Sequence, residues 1–543
     1  MLINQKMKNL SLFLVVLLLG SVFTKDYDYI IAGGGTAGSV VAALLSVDPE
    51  KKVLLLEQGD DNSEFFSDIV GFWNTIIYGA GFRINEVATE NFYVDHVYSQ
   101  EYNLGLRSLP ALAARLLGGG SSINGNAFSR FSEDDLADWD NYYWTYNSTL
   151  NDWKALENCT GPAGTCDPLY HGTSGPIATN TFELNSLVAR IAEVLPDVLG
   201  VPANPDVNGR NATGVGKLPR NIAVVGGQPV RQDSWTRYLK PFVNRSNLEI
   251  KTGAKVLSID YKANGKHKVV YLHENNVYTD RATEETILSL GVYNTPKILL
   301  LSGIGPADEL AALGIECVVN NSHVGKNLQD SVLASMLYAS FEPVESNPPG
   351  GILVGYYKSP QFTGEGTDME VAFTQISSTG ELILVQLTQL RHNQLGEVRL
   401  QSKNPNMNPF ITFNLYSTDA DVDPLVDQFK KVRTAMFLAN RTLFEFYPGY
   451  DVVPPDASDA VIREWLKSEV TNEWHTIGTS SINKVVNGRL QLINNVGAVV
   501  PRIRIIDNGA IPVKPRTHGT ASGAMLIGQV GARFILEDAA KRR

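Results

Sequence analysis

The chain has little positive charge to spare. Lysine and arginine number 46 against 57 aspartates and glutamates, giving a net charge of -11 and a pI near 5.3. Phosphate-bearing partners are met by basic surfaces, so this balance argues against nucleic acid or anionic lipid. The C-terminal Lys541-Arg542-Arg543 is too short a basic run to change that. Cysteine is scarcer still. Three residues in 543 exclude a disulfide scaffold and a zinc cluster, and no metal site is expected. Cys159 and Cys166 flank the loop TGPAGT and can pair in an oxidising compartment, whereas Cys317 in LGIECVV reads as a buried apolar residue. Long apolar runs are missing after the N-terminal region, so no later segment is expected to cross a bilayer. Repeats and low-complexity tracts are also lacking.

Near the N-terminus, Lys6 and Lys8 precede LSLFLVVLLLG (residues 10–20) and a stretch of polar and small residues. This pattern reads as a secretory signal peptide over residues 1–24, cleaved between Gly20 and Lys25. An uncleaved anchor is the other reading, disfavoured because the run falls short of a span. Secretion would place the mature chain outside the cell with no membrane attachment. Sequons at Asn147, Asn158, Asn211, Asn244, Asn320 and Asn440 point to N-glycosylation there.

The chain is 43% hydrophobic with 47 glycines, long enough for more than one domain. YDYIIAGGGTAGSVVAALLS (residues 27–46) reads as a buried strand, a glycine turn and a helix, and KKVLLLEQG as a second strand. Gly33, Gly35 and Gly38 make a G-x-G-x-x-G, with Thr36 and Ala37 opening the helix. Glu57, followed by Gln58, ends the second strand about twenty residues on, where a carboxylate can accept hydrogen bonds from ribose hydroxyls. The glycines provide a tight turn, close approach to a pyrophosphate, and close helix–strand packing. NAD and FAD both fit such a unit.

Further along, residues 67–106 are aromatic-rich and irregular, residues 230–261 read as a helix followed by a strand, and residues 282–315 as a strand, a glycine turn and two helices. Residues 331–469 are dominated by alternating strands, with a helix near VDQFKKVRTAMFLAN. The expected fold class is α/β: a Rossmann-like nucleotide-binding domain, residues 26–330 plus 471–540, under a β-rich substrate cap, residues 331–470.

LLGGGSSINGNAFSR (residues 116–130), SLGVYNTPKILLLSGIGP (289–306), VGKNLQD (324–330) and EWHTIGT (473–479) resemble, in order, blocks of the glucose–methanol–choline (GMC) oxidoreductases. The resemblance implies FAD as cofactor, held non-covalently because LLGGGSSINGN has no histidine or cysteine to form a link. It implies that the stretch containing Leu116, Gly119, Gly120, Asn124, Gly125, Asn126 and Ala127 lies along the flavin, and that the backbone at Val256 meets the adenine. By the same resemblance Trp474 would lie at the flavin, Asp507 and Asn508 near its side chain and pyrophosphate, and Gly519 and Thr520 would open a helix aimed at it. His475 and His518 match the family's active-site pair; His96, His171, His267, His273, His323 and His392 match no such pattern. Gly120, Ser331 and Ser480 stand where the family often has serine, histidine and cysteine, which leaves the substrate open.

The activity this implies is oxidation of an alcohol CH–OH, with His475 as general base, and re-oxidation by O2 or another acceptor. The alternative within the same family is a hydroxynitrile lyase that cleaves cyanohydrins with its FAD staying oxidised.

Overall fold

The computed structural model describes residues 24–61, 94–95, 98–162, 164–342, 344, 350–376 and 381–542. The expected signal peptide, apart from Thr24, and most of the aromatic-rich stretch at 67–106 lie outside the described residues.

Two sheets organise the chain. The first is built on β1 (Asp26–Ala32), β2 (Val53–Leu56), β3 (Leu248–Lys251), β4 (Lys255–Asp260), β5 (Lys268–His273), β6 (Asn276–Leu288), β7 (Gln491–Ile493) and β8 (Val499–Ile505). Strands β3, β2, β1, β6 and β8 run parallel side by side. Ile30, Ile31, Leu54 and Leu55 are fully buried, as continuous apolar runs in a parallel sheet covered on both faces should be. The 13 residues of β6 serve two structures. Its first half closes an antiparallel β4-β5-β6 meander, and its second half lies between β1 and β8. Since β8 arrives some two hundred residues after β6, the first domain is completed only when the chain returns from the cap.

Helix α1 (Thr36–Leu45) follows the glycine turn, α2 (Gly291–Leu301) follows β6, and α3 (Ala521–Arg542) packs on α1. The packing is close: a Cβ on Gly528 would lie 2.8 Å from the Ala37 carbonyl oxygen.

The second sheet has, in spatial order, Phe444–Tyr447, Val332–Ala339, Leu382–Gln389, Met369–Gln375, Ile352–Tyr357 and Gly214–Leu218, with Thr471–Asn472 also on Val332–Ala339. Period-two alternation divides its residues. Val371, Phe373, Ile383, Val385 and Leu387 are buried in one cluster with helices Ser186–Leu199 and Asp423–Ala439. Ala372, Thr374, Leu384 and Gln386 face a cavity on the other side. Helix Ser186–Leu199 and strand Gly214–Leu218, which come from the sequence segment expected to build only the nucleotide domain, therefore contribute to the cap sheet and its core.

The helix expected after Val230 is reduced to a π-helical turn, Trp235–Leu239, and a 3-10 turn, Lys240–Phe242. Pro241 lacks the N–H that would continue it. Cys159 and Cys166 are disulfide-bonded with Cα atoms 5.9 Å apart. Cys317 is half-buried rather than buried.

Candidate functional site

A cavity of about 650 Å³ runs from the carboxyl ends of β1 and β2 and the amino end of β4 to the inner face of the cap sheet. Gly33, Gly35, Thr36 and Ala37 from the first glycine turn line it, with Glu57, Gln58 and Val256. Gly119, Gly120, Asn124, Gly125 and Ala127 come from the second glycine segment, and Trp474, Asp507, Asn508, Gly519 and Thr520 from the C-terminal part. Three expected residues stand behind this wall. Leu116 and Asn126 are fully buried, and Gly38 faces the turn itself: a Cβ there would lie 1.9 Å from the Gly33 carbonyl oxygen.

The glycines thus have different jobs. Gly33 (φ 100°) and Gly38 permit backbone contact, whereas a Cβ on Gly35 would point into space, with its nearest neighbour 3.9 Å away. Gly35 is also the N-cap of α1 and offers no side-chain cap, so the first-turn N–H groups stay available. An open cradle at an uncapped helix N-terminus suits a diphosphate. The Glu57 carboxylate accepts N–H bonds from Gly34 (2.8 Å) and Gly59 (2.8 Å), which fix it at the cavity wall where the ribose of a dinucleotide would lie.

Asp507 is also engaged. Its Oδ2 accepts from Thr295 Oγ1 (2.6 Å) and Gly291 N–H (3.0 Å), and its Oδ1 from Gly509 N–H (2.8 Å). It therefore ties α2 to the C-terminal segment as it lines the cavity. Asn124 Oδ1 accepts from Arg231 Nη1 at 2.7 Å, leaving the amide NH2 of Asn124 as its donor. Arg231 is buried and gave no sequence signal.

At the cap end, His475 and His518 meet edge to face with ring centroids 4.9 Å apart. Each ring has a carboxylate at Nδ1. Glu473 Oε2 lies 3.0 Å from His475 Nδ1, within ion-pair distance though not aligned as a hydrogen bond. Glu370 Oε1 bonds His518 Nδ1 at 2.7 Å. The Nε2 edges are left to the cavity that both rings line.

The two imidazoles titrate in opposite directions. Burial, reinforced by the charges of His518 and Lys514, outweighs Glu473 and pulls His475 down to about 4. Burial also opposes charge on His518, but the carboxylates of Glu370 and then Glu473 overcome it and lift the ring to about 9. At neutral pH one ring is a free base and the other an imidazolium.

The support around this pair is carboxylate-rich. His475 N–H donates to Asp330 Oδ1 (2.9 Å), and Asn472 Nδ2 reaches Asp330 Oδ2 (3.3 Å). Burial raises the Asp330 carboxyl to about 7. The His392 ring contacts the Asp330 carbonyl at 2.9 Å. Lys514 is buried without a hydrogen bond to its Nζ among the described residues, and burial lowers its affinity for a proton despite Asp330, Glu473 and Glu370. Trp474 holds a left-handed backbone, φ 59°, and is pinned by Nε1–H to Pro110 O at 3.0 Å. An aromatic residue there is strained, and the strain sets Glu473 and His475 on either side of the turn. Glu473 and Asp330 lie inside sequence motifs and were within reach of sequence reading. Lys514, close before His518 in the sequence, was too, whereas Glu370 was not, because only strand pairing brings it here.

Comparison with known proteins agrees with this architecture. Residues 27–333 and 392–526 match the N- and C-terminal parts of the family described as GMC oxidoreductase. The oxygen-dependent choline dehydrogenase of Staphylococcus aureus (strain MSSA476) is 28% identical over 544 aligned residues, covering 90% of each chain. Formate oxidase of Aspergillus oryzae RIB40 shares the fold with a TM-score of 0.81 at 21% identity, over 96% of this chain and 100% of that one. A fungal aryl-alcohol oxidase does so with a TM-score of 0.79 at 20% identity, over 95% and 100%. Matched along most of its length, the chain belongs to the GMC oxidoreductase family and is an FAD-dependent oxidoreductase.

Proposed function

We propose that this enzyme oxidises the CH–OH group of a small alcohol, with His475 as the base and His518 as the electrostatic partner. The observation that carries the reading is a pair of imidazoles in edge-to-face contact at the cavity wall, each backed by a different carboxylate, Glu473 for His475 and Glu370 for His518. Neutral His475 takes the substrate hydroxyl proton at Nε2, a role worth about 10²–10⁴-fold. The His518 imidazolium hydrogen-bonds the oxygen as negative charge develops on it, and Glu370 keeps that ring protonated and oriented. Bound FAD supplies the acceptor for the carbinol hydride. Names among the similar proteins, a choline dehydrogenase and an aryl-alcohol oxidase, support alcohol as the substrate type. The electron acceptor is O2 or another acceptor.

We read the mature protein as secreted and N-glycosylated, on the N-terminal apolar run and the sequons. Asn147, Asn211, Asn244 and Asn320 are exposed and accessible to glycosylation, whereas Asn440 has its Nδ2 buried and is the sequon least suited to carry a glycan. The deciding experiment is anaerobic addition of primary, secondary and benzylic alcohols to the purified yellow enzyme. An alcohol substrate bleaches the oxidised flavin band; cyanohydrin cleavage with no bleaching by any alcohol would assign the hydroxynitrile lyase reaction instead.

A further inference from the structure

The inner face of the cap sheet carries a second layer of information. In register, Glu370 pairs with Tyr356 and Thr388, Ala372 with Val354 and Gln386, and Thr374 with Ile352 and Leu384. The first of these rows is bolted to the histidines. Glu370 bonds His518, Tyr356 Oη accepts the His518 N–H at 3.0 Å, and Thr388 Oγ1 reaches Glu473 Oε1 at 3.4 Å. Successive rows on one face lie about 7 Å apart, twice the rise per residue of an antiparallel strand. The sheet therefore carries rows at fixed steps away from the carboxylate that holds His518.

One row out, the cavity wall is Ala372 beside Gln386, and two rows out Thr374, Leu384 and Ile352 with Leu218 next to them. Ala372 is the smallest of these side chains, so it leaves a hollow, and Leu384 and Ile352 form its far lip. The Gln386 amide and the Thr374 hydroxyl are partly exposed and have no hydrogen-bond partner among the described residues. They are neutral, and Arg220 also lines the cavity. On the three rows the only carboxylate is Glu370, which His518 already occupies.

We propose that the substrate is a neutral alcohol with a ring-sized apolar body lying over Ala372 and an uncharged hydrogen-bonding group at the end away from the carbinol, recognised by Gln386 with Thr374 beside it. This rests on the alcohol-oxidising reading above. A quaternary ammonium group on these rows would be desolvated against an amide and a hydroxyl with no free carboxylate among them, and would be disfavoured. Gln386 and Ala372 are thus specificity-determining residues: the amide selects the polar substituent, and the methyl side chain makes room for the ring.

The test uses the FAD-loaded enzyme and two aldehydes, benzaldehyde and 4-formylbenzamide, whose dissociation constants are read from perturbation of the flavin spectrum without turnover. The carboxamide should bind about tenfold tighter, as one well-placed hydrogen bond in a dry site allows. Gln386→Leu should bring that ratio close to one. Ala372→Phe, with flavin content intact, should weaken both aldehydes by about 10²-fold, and the milder Ala372→Val should weaken both in the same direction. Anaerobically, 4-(hydroxymethyl)benzamide should bleach the flavin faster than choline. Equal affinity of the two aldehydes, a ratio that survives Gln386→Leu, or faster bleaching by choline would overturn the proposal. A Gln386-dependent ratio with no bleaching by any alcohol would instead overturn the oxidation reading and leave the recognised class standing.

Discussion

His475 and His518 are the same side chain in contact, and the charge of the Glu370 carboxylate, 2.7 Å from His518 Nδ1, is the largest influence raising that ring. The signs follow for activity. His475 loses its role as base when protonated, so kcat/KM should fall as pH drops toward about 4. His518 loses its charge as pH rises through about 9, so the alkaline limb should lie there. Glu370→Gln removes the largest influence raising His518, and should move that limb down by about one pH unit or more with flavin content unchanged. A pH profile of the flavin reduction rate checks this, and an unmoved alkaline limb would assign Glu370 to packing alone. His475→Ala should retain FAD yet lose about 10²-fold or more in reduction rate, about 3 kcal/mol in the barrier. A rate within a few-fold of the parent enzyme would move the base elsewhere.

At the scale of the element, the glycine turn between β1 and α1 shows how one motif holds two kinds of constraint. Gly38 has backbone 1.9 Å from where its Cβ would be, so Gly38→Val should destabilise the βαβ unit and give little folded protein. Gly35 has open space on the cavity side, so Gly35→Val should fold but come out colourless, its side chain filling the diphosphate cradle. Circular dichroism with the ratio of flavin to protein absorbance distinguishes them, and yellow Gly35→Val protein would count against the cradle. The same element was legible in advance because its signals are local: a buried β-branched run, glycines at fixed spacing, and an acidic residue at the next strand end. The helix expected after Val230 failed for an equally local reason, Pro241, which apolar periodicity does not register.

On the scale of the whole molecule, the cofactor site is a seam. Its walls come from both sheets, from the second glycine segment and from the C-terminal turn before α3, and that glycine segment, LLGGGSSINGN, has neither histidine nor cysteine to form a link. Precipitating the protein with acid should therefore release FAD to give a yellow supernatant and a colourless pellet; a yellow pellet would mean a covalent link. What the amino-acid order determined alone was the chemistry within short reach along the chain: the dinucleotide turn, the strand-rich middle, the two histidines as members of family motifs, and Cys159 near enough to Cys166 to pair. Tertiary structure decided which groups confront those histidines. Glu370 lies over a hundred residues before His475 and reaches His518 only because alternate residues of Met369–Gln375 face the cavity. Gly214–Leu218 joins the cap by pairing with Ile352–Tyr357, and nothing in its own five residues says so. Burial and charge are sums over neighbours from distant segments, so the protonation of each ring and the spacing from base to substrate-binding wall exist only after the two sheets have closed on each other.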